Sequence, residues 1–222
     1  MKIAIINPNS TESMTSKVLE VAHLVAPTGT FLKGITSIEG PPAIQGPEDG
    51  LAAVPGLLKE IKKADSDGID GFIIACFDDT GIDEARQLTS KPVVGIGEAA
   101  FHASMMLGYK FSVVTTLSVS VPVIEENIER YGVHSFCKKV RASEVPVLEL
   151  EREGSDAEHR ISAEIETAIE EDNCSSIVLG CAGMADLPTR LSKRHKIPVI
   201  DGVAAAVGMV CALVAMQKIN KL

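Results

Sequence analysis

Two cysteines stand at matching points of a repeated pattern. Phe72 to Ala75 is an apolar run that ends on Cys76, and the polar turn Phe77-Asp78-Asp79-Thr80-Gly81 follows. About 105 positions later, Ser176 to Gly180 ends on Cys181, with Ala182-Gly183-Met184 beyond it; such self-similarity is the signature of an internal repeat. Each run is short, rich in branched or aromatic residues and bounded by turn residues, so each reads as a strand buried on both faces. The cysteines therefore fall at strand carboxyl ends, the edge where open α/β sheets bind ligands. Turn amides and a following helix N-terminus there would favour thiolate over thiol. Two such thiols facing one carbon suit inversion: one takes a proton from one face while the other delivers a proton to the opposite face. The developing enolate oxygen then needs donors. Candidates are the amides of Phe77, Asp78, Asp79, Thr80, Ala182 and Gly183, and the hydroxyls of Thr80, Thr115 and Thr116.

The elements that must position these groups also recur. Ile3 to Ile6 is a strand running into Asn7-Pro8-Asn9-Ser10, and Phe111 to Val114 is its counterpart running into Thr115-Thr116. Asn9 lies at a strand exit and can face a ligand. Pro92 to Gly97 and Pro198 to Val203 are a third matched pair of strands. Helices are expected up to about Val25 and over 51–64, 82–88, 98–107, 121–131 and 155–171. Two more follow, from Cys181 to His195 and over the apolar stretch 204–219, which should be well buried. A second strand is expected over 31–35 and an extended segment around Val145 to Leu148. Residues 39–50 are too rich in Gly and Pro for regular structure and read as an ordered loop, from which Ile44 and Gln45 could close over a ligand. The economical architecture is α/β: two pseudo-symmetric lobes, each a parallel sheet flanked by helices, with the site in the cleft between them. Residues 1–98 with 204–222 form the lobe of Cys76, and residues 99–203 form the lobe of Cys181.

Composition narrows the class. Apolar residues make up 45% of the 222, enough for a core, and the net charge of −9 argues against a nucleic-acid partner. No run approaches the roughly 18 apolar residues that cross a membrane. The N-terminal apolar stretch is too short for a signal peptide, so the expected location is cytoplasmic. The five cysteines are widely spaced, without CxxC or zinc-type Cys/His spacing, and are expected to be free thiols with no metal. His102 and His195 fall in helical patterns, and no His sits at a strand end to pair with a nucleophilic cysteine.

The motifs Asn7-Pro8-Asn9-Ser10, Ala75 to Gly81, Val114 to Ser118, Gly180-Cys181-Ala182-Gly183-Met184 and Pro198 to Gly202 resemble those of the Asp/Glu/hydantoin racemase superfamily, most closely its hydantoin racemase branch, which includes allantoin racemases. The resemblance spans nearly the whole chain. It implies a cofactor-independent isomerase acting on a small molecule, a homo-oligomer, with Cys76 and Cys181 as the acid/base pair. Asn9, Ile44, Phe77, Asp78, Asp79, Thr80, Thr115, Thr116, Ala182 and Gly183 are the candidate substrate-binding residues. Members of the branch often carry Arg where Val119 stands here, which leaves the substrate open. Amino-acid racemases of the superfamily usually have Asn-Thr after the first cysteine. Here Asp78 and Asp79 would repel an α-carboxylate, whereas a neutral 5-substituted hydantoin avoids that repulsion; the alternative is that both cap the next helix.

Within the superfamily the rivals are allantoin racemase, Asp or Glu racemase, maleate isomerase and arylmalonate decarboxylase. The acidic pair disfavours the dicarboxylate of a maleate isomerase, and the presence of both cysteines disfavours the decarboxylase, which keeps one. Outside it, a thiol redox or metal protein would need cysteines close in sequence. A non-catalytic two-lobed binding protein would use the same cleft without needing both thiols.

Overall fold

Buried strands alternating with amphipathic helices give the order expected of an α/β chain. The computed structural model describes residues 1–220. Its first half contains β1 (Lys2–Asn7), α1 (Glu12–Val25), β2 (Phe31–Thr36), α2 (Pro47–Ser66), β3 (Gly71–Ile74), α3 (Ile82–Leu88) and β4 (Val93–Gly95). After α4 (Ile96–Met106) come β5 (Phe111–Thr115), α5 (Val121–Arg130), β6 (Cys137–Ala142), α6 (Ala157–Glu171), β7 (Ser176–Gly180), α7 (Pro188–His195), β8 (Val199–Ile200) and α8 (Gly202–Ile219). The strands form two four-stranded parallel sheets with the same order, β2-β1-β3-β4 and β6-β5-β7-β8.

One apolar cluster joins the inner faces of both sheets. Ile5 and Ile73 from the first and Val113 and Val178 from the second meet α4 and α8 between them, through Phe101, Val207 and Val210. The outer faces carry separate clusters: α2 and α3 cover the first sheet, and α6 and α7 cover the second. Helix α8 is long and apolar enough, by length and composition, to cross a membrane, which the expectation that no run comes near this missed. Here Val203, Ala206, Val207, Val210 and Val214 are buried, and the helix packs on α1, α4, β3 and β4. The helix was expected to be well buried, but only this face is covered, and Leu213, Met216 and Ile219 are exposed on the other.

Four boundaries differ most from the sequence reading. The helix expected from Cys181 begins only at Pro188, after a 3-10 turn at Ala182–Met184, because proline suits a first helical turn. Helix α2 starts at Pro47, inside the expected Gly/Pro loop, because proline suits the first helical turn and the Asp49 carboxylate accepts the Gln45 N–H at 3.0 Å. Helix α4 starts at Ile96, earlier than expected. The extended segment expected at Val145 to Leu148 is a 3-10 turn from Val147, and the strand lies at Cys137–Ala142 instead. That strand is a sheet edge bearing exposed Lys138 and Lys139, the charge with which edge strands avoid further pairing and which hides their alternation.

Strand β6 is held to α6 by Arg141. Its Nε and Nη2 lie 2.7 and 2.5 Å from the Asp172 carboxylate, Glu164 and Glu171 add further contacts, and Ser112 Oγ donates to Asp172 at 2.7 Å. The two central side chains are only 7% and 4% exposed. Burial pushes the Asp172 carboxyl up, but the Arg141 and Ser112 bonds outweigh it and hold it below the usual range. A carboxyl held low stabilises above its ordinary pKa, and this stability is lost as pH falls through the lowered value. Arg141→Met strands Asp172 and should cost about 3 kcal/mol in urea unfolding at pH 7. The gap from wild type should close as pH drops below about 4; a gap that is the same at pH 3 would remove the ion pair as its cause.

Candidate active site

In a parallel sheet of order 2-1-3-4 the chain leaves the two central strands in opposite directions, and their carboxyl ends open a crevice. Both sheets have this arrangement, so β1 and β3 supply one crevice and β5 and β7 the other. Asn9 follows β1, Cys76 follows β3, Thr116 follows β5 and Cys181 follows β7. These crevices meet in one cavity of about 30 Å³, room for about two waters. Of the expected residues Asn9, Ile44, Cys76, Phe77, Asp78, Thr116, Cys181, Ala182 and Gly183 line it. Met14, Ala75, Ser120, Val147 and Gly180 line it as well and were not anticipated.

The two thiol turns are built alike. The Cys76 carbonyl accepts the Asp79 N–H at 3.1 Å, and the Cys181 carbonyl accepts the Met184 N–H at 3.1 Å. Each sulfur also accepts a backbone N–H from two residues on, Asp78 for Cys76 and Gly183 for Cys181. Thr80 Oγ1 lies 3.4 Å from Cys76 Sγ. These contacts favour thiolate, as expected from the turns, but burial outweighs them. It pushes Cys76 far above the ordinary thiol range, helped by the Asp78 charge, and Cys181 up to about 12. A thiolate formed here is therefore desolvated and strongly basic. All five cysteines are free thiols.

Asn9 contributes a donor. Its Oδ1 accepts from Asn7 Nδ2 at 2.8 Å and from the Thr11 N–H at 2.9 Å. Its Nδ2 is left with only the Met14 sulfur at 3.4 Å, so the amide N–H groups are the part available to a ligand oxygen. Thr116 and Ser120 add hydroxyls on the other side. Phe77 serves two purposes: it lines the cavity and packs edge-on against Phe101 with centroids 5.3 Å apart.

Three expected residues do something else. Asp79 sits at φ 50°, in the left-handed region, which turns its side chain away from the thiols. Its carboxylate accepts from the Gly97 and Glu98 N–H groups at 3.0 and 2.7 Å and from Tyr131 Oη at 2.9 Å. It caps α4, whose own cap position is Gly95; a Cβ there would lie 2.0 Å from Asp79 Oδ1. Burial pushes Asp79 up, to about 7, against these three donors. Thr115 is buried and donates to the Gly180 carbonyl at 2.8 Å, joining β5 to β7. Thr80 reaches Cys76 but faces an outer cleft.

That cleft has a volume of about 420 Å³ and runs between α2, the Cys76 turn with α3, and α5. Asp78 lines both the cleft and the thiol cavity. Burial pushes its carboxyl up to about 7, and among the described residues no hydrogen bond engages the carboxyl, although its carbonyl accepts from Asn127 at 2.9 Å. Among the described residues no cluster of three or more His, Cys, Asp or Glu side chains could hold a metal ion. His102 and His195 bond within or between helices, to the Glu98 carbonyl and to Ser162.

Contacts between the halves close the thiol cavity. Ile44 and Val147 cover it from the two sides, and Gln45 Oε1 accepts the Val147 N–H at 2.9 Å. Lys17 of α1 reaches the Cys181 turn, with Nζ 3.1 Å from the Gly183 carbonyl and 2.7 Å from Glu151. In sequence, Lys17 is one polar position on an amphipathic helix and Met14 one apolar position, and neither signals a site.

The family model described as Asp/Glu/Hydantoin racemase matches residues 3–210. A hydantoin racemase of Rhizobium meliloti is 46% identical over 99% of this chain and 93% of its own. A hydantoin racemase of Pseudomonas sp. (strain NS671) is 38% identical over 98% and 88%. Among solved structures, the allantoin racemase from Klebsiella pneumoniae superposes with a TM-score of 0.94 at 38% identity, covering 98% of this chain and 89% of that one. Paired strand exits, matched cysteine turns and this likeness agree: the chain belongs to the Asp/Glu/hydantoin racemase family of isomerases.

Proposed function

We propose that the protein racemises 5-monosubstituted hydantoins without a cofactor, by two-base proton transfer between Cys76 and Cys181. The observation that carries this reading is the cavity itself, which receives one thiol from each sheet. A thiolate on one wall removes the C5 proton, the ring carbonyl takes up the charge as an enolate, and the thiol on the other wall reprotonates C5 from the opposite face. The protein ends each turnover with the proton on the other sulfur, so no external acid is consumed. The Asn9 amide N–H groups and the Thr116 and Ser120 hydroxyls are the donors suited to the enolate oxygen. A five-membered ring needs more room than two waters, so the cover formed by Ile44 and Val147 must part for entry.

Allantoin is itself a hydantoin with a ureido group at C5, and it is the second reading. The outer cleft favours it: Asp78, Glu84 and Glu126 offer acceptors to ureido N–H groups. Anionic substituents would meet the same carboxylates.

In D2O, both enantiomers of 5-benzylhydantoin should lose rotation and gain deuterium at C5. Cys76→Ser and Cys181→Ser should each lower racemisation by about 100-fold or more, the scale of a lost general acid or base, with the fold retained. Racemisation by either variant at the wild-type rate would sink the two-base scheme, whereas binding without exchange in the wild type would favour a binding protein.

Asp78 predicts a pH signature. Its carboxyl is neutral below about 7 and charged above. The preference for 5-benzylhydantoin over a 5-carboxyethyl analogue, measured as a ratio of kcat/KM, should therefore grow as pH rises from 6 to 8. Asp78→Asn should flatten that rise; the same slope in the variant would exclude Asp78 as its source.

A further inference from the structure

The two thiol turns have the same backbone but face different charges. Beside Cys76 stands Asp78, two residues on in the same turn and the nearest acidic group to its sulfur in sequence. Beside Cys181 stands Lys17, delivered by α1 from the other half of the molecule. Its ammonium lies 3.1 Å from the carbonyl of Gly183, the residue whose N–H bonds the Cys181 sulfur. Gly183 is packed so closely that an added Cβ would lie 3.7 Å from that sulfur and 2.9 Å from Leu150 Cδ1. Lys17 also bonds Glu151 at 2.7 Å and the Leu150 carbonyl at 3.4 Å, and it lies 3.8 Å from Asp186.

We propose that Lys17 is a positioning residue that makes Cys181 the thiol that ionises more readily, by fixing the Gly183 turn against its sulfur and by placing a cation on its side of the cavity. This inference deepens the two-base reading but does not depend on the substrate. The charged and titratable groups facing Cys181 are Lys17 from α1, Glu151 from the 3-10 turn, Asp78 from the opposite turn and the Cys76 thiol. Lys17 favours its thiolate, and Asp78 and Glu151 oppose it. The Lys17 and Glu151 side chains are 20% and 15% exposed, so solvent screens them less than a surface pair.

The test is competitive labelling of the full-length protein with dilute iodoacetamide at pH 8. Peptide mass spectrometry then gives the ratio of initial labelling rates, Cys181 over Cys76. Well below a thiol's pKa the rate follows its thiolate fraction, and the ratio cancels changes common to both sites. Lys17→Met should lower the ratio by on the order of tenfold, the effect of removing an opposite charge from beside an ionising group. Lys17→Arg should restore it to within about twofold of wild type, because the cation is retained. Glu151→Gln should raise it, because an opposing anion is gone. A merely structural bridge gives a different pattern: Lys17→Met and Glu151→Gln break the same contact and would move the ratio in the same direction. That result, or an unchanged ratio in Lys17→Met, overturns the proposal. If Lys17→Met fails to fold, Lys17→Gln carries the same comparison with the same expected fall. Labelling needs no turnover, so a wild type inactive on hydantoins leaves this test intact.

Discussion

Burial of two thiols in one cavity of about 30 Å³ is the constraint around which the rest of the site is arranged. Desolvation disfavours a sulfur anion more strongly than any single neighbour favours it, so both thiols stand far above their ordinary range. This is a cost and a resource. A thiolate that is hard to form is a strong base once formed, which is what the proposed abstraction of a weakly acidic C–H would demand. The fold lowers the cost with fixed dipoles: the Asp78 and Gly183 amides meet the sulfurs because each Cys sits in the same turn at a strand exit. Such dipoles need no reorganisation when charge appears.

Two aspartates side by side illustrate how finely this arrangement divides labour. Asp78 carries its carboxyl to the rim of the cavity, where its charge bears on both thiols. Asp79, one residue on, is directed by a positive φ to the first amides of α4 and replaces the cap that Gly95 cannot supply. In the other half the cap position equivalent to Gly95 is Asp201, which caps α8 locally through the Val203 and Ala204 N–H groups. The acidic pair that reads in sequence as one electrostatic barrier is one carboxyl at the rim and one helix cap.

What was legible in the sequence follows from range. Cys76, Cys181, Asn9 and the Gly/Pro loop with Ile44 could be placed because strand exits and turns are written in a few adjacent residues, and the repeat supplied a second copy of the strand exits. Thr115 and Thr116 could not be told apart, since side chains alternate along an extended chain and only the register with Gly180 shows which one is spent on the sheet. Asp78 and Asp79 failed to separate for a similar reason, a backbone angle. Lys17 and Val147 had no local signal, because their contacts join segments far apart in the chain, and the partner that Gln45 finds across the mouth was hidden for the same reason. Strand β6 was missed because the lysines that protect a sheet edge also erase the apolar alternation that identifies a strand.

The separation of the two thiols is set away from them, by the helices between the sheets. Helices α4 and α8 begin directly after β4 and β8 and share the core with both inner faces. Their N-termini approach so closely that a Cβ on Gly202 would lie 2.4 Å from the Ile96 carbonyl oxygen. Glycine there lets the helices meet, and their meeting fixes how far apart the strand ends stand. The Gln45 contact with Val147 then joins the halves at the mouth. It is a hydrogen bond worth on the order of 1 kcal/mol net, little resistance to parting the cover of Ile44 and Val147. The proposed two-base inversion would need both properties at once: a spacing between acid and base held to a fraction of an ångström, and an opening that yields. Buried helix packing suits the first, and a cover held by one polar contact suits the second.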